Sequence, residues 1–192
     1  MLGKRYVPIL IILMLVVALA FTSSAAFAYW RDIREVGNVV IRFEGEDANL
    51  IIEETSDTFT GMLVPVGHVN FENEVDFVEF MYEVQLDRTL VQTMNLRVVA
   101  SEILIDDKPD YAHLVMITIN NQGSDFQGEL FNTKVVVRVV VRLLEPIDMD
   151  EAVSKGLDLS LVNVDDSVQA FNAIKGQTIT FKITFMVETK TQ

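Results

Sequence analysis

Between residues 76 and 86 the chain alternates strictly. Val78, Phe80, Tyr82, Val84 and Leu86 are separated by Glu79, Met81, Glu83 and Gln85. A period of two gives one buried and one wet face, which predicts a strand. The same pattern runs through 134–144, where Val135, Val137, Val139, Val141 and Leu143 share a face. The opposite face mixes Val136 and Val140 with Arg138 and Arg142, which predicts a strand in the middle of a sheet. It returns at 178–188, with Ile179, Phe181, Ile183, Phe185 and Val187 turned to the core. Thr178, Thr180, Lys182, Thr184, Met186 and Glu188 face outward there. Shorter strands are predicted at 36–43, 49–53, 96–105 and 114–120, and 63–66 is a brief apolar stretch before Gly67. Another is predicted at 157–162, where Leu157, Leu159 and Leu161 alternate.

Turn chemistry separates these runs. Residues 44–47, 106–110 and 120–123 are rich in Asp, Asn, Gly and Pro. Polar loops are predicted at 55–61 and at 165–175, the second anchored by Phe171. One short helix follows Pro146, with Asp148 as N-cap, Glu151 three residues on, and Gly156 as terminator. Phe71, Phe77 and Phe80 are assigned to the core, although the parity of Phe77 opposes its stripe. About eight strands and one short connecting helix predict an all-β fold, an antiparallel jelly-roll or Ig-like sandwich. A single domain covers 29–192.

The first 28 residues follow a different pattern. Lys4 and Arg5 precede an apolar run over 7–20, and a more polar stretch ends in Ala26-Phe27-Ala28. That is the layout of a helical signal peptide over 1–28, with cleavage between Ala28 and Tyr29. The competing reading is a membrane anchor over 7–28, a stretch of 22 residues. Membrane contact is expected only through this segment if it stays uncleaved. A pilin-type leader is disfavoured, because no acidic residue opens the apolar run.

Composition narrows the chemistry. The net charge of −13 opposes binding to nucleic acid or anionic headgroups. With no Cys there is no disulfide and no thiolate. His68 and His113 are the two histidines, and neither lies in a zinc-peptidase motif. No serine-hydrolase elbow occurs. No enzyme activity and no cofactor are expected. Asp106, Asp107 and Asp110 are the best calcium candidates, beside two further acidic clusters at 148–151 and 165–166. None has the spacing of a calcium loop. Asp is common in turns without any metal.

Ala28-Tyr29-Trp30-Arg31-Asp32 follows directly on the signal segment, and 171–185 forms a Gly-turn before a strongly alternating last strand. In these two stretches the chain resembles the TasA/camelysin family of exported proteins with SipW-type signal peptides. The resemblance implies a jelly-roll sandwich, secretion, and self-association into fibres of a cell surface or extracellular matrix such as a biofilm. It implies a signal peptidase as processing partner. It also implies donation of the N-terminal strand, residues 29–40, to the next subunit, with Tyr29, Trp30, Ile33 and Val36 in the donor segment. Aromatics such as Tyr29 and Trp30 are typical interface anchors, and docking on the chain's own core is the alternative for them. For the whole protein the alternative is a monomeric surface module that binds carbohydrate or protein. A divergent metallopeptidase, the activity described for camelysin-type relatives, is disfavoured by the missing histidines.

Overall fold

The strongest stripe in the sequence becomes the most enclosed strand. A computed structural model of the chain describes residues 33–41, 49–56, 61–90 and 92–189, the first stretch as backbone. Its strands are β1 (Ile33–Ile41), β2 (Leu50–Glu54), β3 (Met62–Leu63), β4 (Glu74–Val75), β5 (Phe77–Leu86) and β6 (Met94–Ile105). They continue with β7 (Val115–Ile119), β8 (Asp125–Leu130), β9 (Val135–Leu143) and β10 (Ile179–Thr189). Two sheets form, in the orders β1-β10-β6-β8 and β2-β5-β9-β7, beside a small β3-β4 ladder. Pairing within the two large sheets is antiparallel except between β1 and β10. The described residues thus form an all-β sandwich of mainly antiparallel sheets with two short α-helices.

The core lies between the sheets. Ile179, Phe181, Ile183, Phe185 and Val187 are each at most 2% exposed. Phe181 meets Phe80 of the facing sheet edge to face, with ring centroids 5.8 Å apart. Phe185 meets Tyr82 in the same way at 5.5 Å. Such pairs add about 0.5–1.5 kcal/mol each beyond simple burial.

A β-bulge sets the register of β10 on β6. Thr180 pairs with Leu104 but Lys182 pairs with Ser101, so β6 carries one extra residue. Glu102 takes it up with a φ of 51°, and its carboxylate accepts a hydrogen bond from Lys182 Nζ at 2.7 Å. The bulge also resets which side chains point inward. Met94, Leu96, Val98 and Ala100 are buried before it, and Ile105 after it.

Four expectations need correction. Residues 157–162 are not a strand. They form a 3₁₀ turn, Leu159–Leu161, because the Asp158 carboxylate accepts from Ser160 N at 2.9 Å and bends the backbone locally. Residues 165–175 are not a loop but contain a helix, Ser167–Ile174, so the described part of the sandwich domain has two α-helices rather than one. Phe71 is 51% exposed and Phe77 42% exposed, so neither is core. Glu74 is buried, and its Oε2 accepts from the amides of Asn70 and Phe71, which curls the loop and leaves the Phe71 ring outside. Phe77 instead lies under the Arg142 guanidinium, 5.7 Å from the ring centre. β8 was also absent from the sequence pattern. The predicted turn at 44–47 and the end of the first strand at Phe43 lie outside the described residues.

Replacing Phe185 by Ala should cost about 3–5 kcal/mol of folding free energy, the usual range for a fully buried ring. Val136→Ala, on the 54%-exposed opposite face of β9, should change it by less than about 0.5 kcal/mol. Urea unfolding of both variants checks this. Equal losses would contradict the assignment of inner and outer faces.

Candidate functional site

Two features stand out where the chain could meet a partner: the β1 edge and a cleft at one end of the sandwich. β1 pairs with β10 in parallel over nine residues, from Ile33 opposite Ile179 to Ile41 opposite Val187. Of the expected donor residues, Ile33 and Val36 lie on this strand, Val36 opposite Lys182. Among the described strands β1 pairs with β10 alone. Without β1, the chain's last strand would present a row of unpaired backbone groups. Ala26, Ala28, Tyr29 and Trp30 lie outside the described residues.

Parallel pairing fixes the end from which β1 arrives. Ile33 sits beside the start of β10, and Ile179 is opposite Ile105 at the end of β6. At this same end, the segment from β6 to β7 and the segment before β10 enclose a cleft of about 420 Å³. Asp110, Tyr111 and His113 line one wall. Val162, Val164, Asp165 and Asp166 belong to the other. Among the described residues the lining holds three carboxylates and neither Lys nor Arg.

Helix caps and one asparagine hold the second wall. α1 (Met149–Lys155) has Asp148 as N-cap and Gly156, at φ 64°, as C-cap. α2 (Ser167–Ile174) has Asp166 as N-cap, accepting from Gln169 N at 2.8 Å. Asp148 serves both helices: Oδ1 accepts from Glu151 N and Oδ2 from Ser167 N, each at 2.8 Å. These two amides hold the Asp148 carboxyl below its ordinary value of 3.8, that of Ser167 contributing most. Asn163 ties the wall to the end of β9. Its Oδ1 accepts from Ile147 N, and its Nδ2 donates to the Glu145 carbonyl, both at 2.8 Å. His113 Nε2 lies 2.8 Å from the Asn163 carbonyl and joins the walls.

The calcium candidates are not brought together. Asp106 and Asp107 have φ of 52° and 59°. They form the tight turn closed by Lys108 N on the Ile105 carbonyl at 3.0 Å. Asp106 also pairs with Lys108, while Asp110 lines the cleft. Among the described residues no group of three or more His, Asp or Glu could hold a metal ion. His68 pairs with Glu145 at 3.0 Å, in a loop.

The sequence reading missed Asn163 and the cap at Asp166. Asp166 followed three residues later by Gln169 is itself a capping signature, with Ala170 and Ile174 as the buried stripe. No family model, no curated protein and no solved structure matches the chain.

The Asp148 carboxyl gains stability on folding because its native value is lowered. That contribution is present above the ordinary value and is lost as pH falls below it. Thermal melting between pH 7 and pH 3 should therefore show a steep acid loss. Asp148→Asn should melt lower at pH 7 and show a shallower acid slope. Parallel slopes would remove Asp148 from the acid transition.

Proposed function

We propose that this chain is an exported structural subunit of a cell-surface or extracellular-matrix fibre, assembled by donation of its N-terminal strand. The sandwich is then of the jelly-roll type, the first 28 residues are a signal peptide, and the subunit carries no catalytic site. The observation that carries this reading is the β1–β10 pairing. β1 comes from the far end of the chain and pairs with no other described strand. The same backbone bonds could be made by β1 of a second copy. Exchange of one strand in this head-to-tail sense does not close on itself, so it propagates as a filament. The acidic surface favours a soluble subunit until the strand is delivered.

The end cleft favours a second reading, a monomeric surface module that binds a ligand there. Its Tyr111 and three carboxylates would suit a polar ligand such as a carbohydrate or a basic peptide.

Negative-stain electron microscopy of the chain starting at Tyr29, beside one lacking residues 29–36, separates the two. Filaments from the first and monomers from the second are expected. Monomers from both, at high concentration and across pH, would sink the fibre reading.

A further inference from the structure

We infer that the outer face of the sheet β2-β5-β9-β7 is a self-complementary surface that takes a second copy of this chain, sheet against sheet. The inference is independent of strand donation, because β1 belongs to the other sheet.

Register writes the pattern of this face. Paired residues share a face, and every second residue along a strand joins them. On β5 the outward series is Phe77, Glu79, Met81 and Glu83. Their partners on β9 are Arg142, Val140, Arg138 and Val136, in that order. Each pair sets one apolar side chain beside one charged side chain, so the face is a checkerboard. Phe77, Met81 and Val136 are exposed, and so is Met116, opposite Arg142 on β7. On the outer face of the other sheet, Val99 and Met186 are half-buried instead. Exposed apolar side chains set among charges mark protein interfaces.

Charge selects the occupant. The chain carries a net −13, so two copies repel each other on average. On this face the charges named here balance. Lys134 bridges Glu53 and Glu83, Arg138 pairs with Glu79, and Arg142 lies over the Phe77 ring. The signs are also sorted, with these carboxylates on β2 and β5 and the cations on β9 or directly before it. A two-fold axis running along the strands, midway from β5 to β9, lays β5 of each copy over β9 of the other. Carboxylates then face cations diagonally across the interface. An axis across the strands would lay β5 over β5, like charge on like. The pattern therefore picks both the partner and the symmetry, that of a closed, isologous dimer. Size agrees. β5 has 10 residues and the sheet has four strands, which gives about 33 Å by about 19 Å. Two such faces bury about 1,200 Å², the lower limit of specific stable interfaces, so the dimer is a dissociable one.

The chain has no cysteine, so one introduced thiol reports on one position. In the full chain, Met81→Cys places a thiol beside the two-fold axis, about 10 Å from its counterpart across the packed sheets. A short bis-maleimide should give a covalent dimer on denaturing gels, with a yield that rises with protein concentration. Gln127→Cys, exposed on β8 of the other sheet, should give at least several-fold less. One thiol per chain joins two chains at most, so a filament built through β1 leaves this readout unchanged. Adding Arg138→Glu or Glu79→Arg to Met81→Cys should cut the yield several-fold in each case, and mixing the two variants should restore it. Both variants lack the internal Arg138–Glu79 pair, so recovery on mixing comes from contacts between copies. No dimer above the Gln127→Cys control, or folded charge variants that do not recover on mixing, would overturn the inference. If thermal melting shows either charge variant unfolded, the comparison of Met81→Cys with Gln127→Cys decides alone. A Met81→Cys thiol that also resists a monofunctional maleimide would overturn it in favour of cover by the chain's own residues. Filaments by microscopy without the Met81→Cys dimer would leave strand donation standing and sheet pairing refuted, and the dimer without filaments would do the reverse.

Discussion

The backbone amides and carbonyls of β10 point alternately to its two sides, and both sides must be paired, because this strand carries the five inward side chains that fill the middle of the core. One side is met by β6, twelve residues long and shaped by the bulge at Glu102. The other is met by β1. The order of the first sheet follows from this. The last strand of the chain sits inside the sheet and the first strand guards it. The second sheet has no comparable debt to a distant part of the chain, since β5, β9 and β7 carry complementary valine and isoleucine stripes. The β1–β10 pair is the pairing between the first and last of the described strands.

How much of this was legible follows from how each element is held. β5, β9 and β10 could be read directly, because a sandwich strand with one buried face must alternate. The Asp148 helix was legible because its cap and its terminator are encoded locally. α2 was hidden by its polar surroundings, although Asp166 and Gln169 encode its start as plainly as Asp148 and Glu151 encode that of α1. β8 has only Phe126 and Leu130 as large inward residues. Its stripe is broken at Gly128, whose missing side chain is replaced by the ring of Phe126, 2.7 Å from where a Cβ would stand. A pattern search sees a gap there, while packing sees a filled position. Residues 157–162 failed in the opposite sense. Their leucines alternate, but no described strand offers them a ladder, and Asp158 gives the backbone a local alternative. Of the expected site residues, Val36 was legible as strand, while β1 begins three residues earlier than the pattern indicated, at Ile33. The cleft was not, because it joins residues about fifty positions apart through the His113–Asn163 contact.

The two features at this end of the molecule rest on different physics. The β1–β10 pair is a ladder of backbone bonds, indifferent to most side chains. The cleft wall is held by side chains: one carboxylate capping two helices, and one asparagine bonded to the backbone on either side of Pro146. These bonds all lie within residues 113–167, outside the β1–β10 pair. A cleft wall held in this way is preorganised, which lowers the entropy lost when any ligand is bound against it.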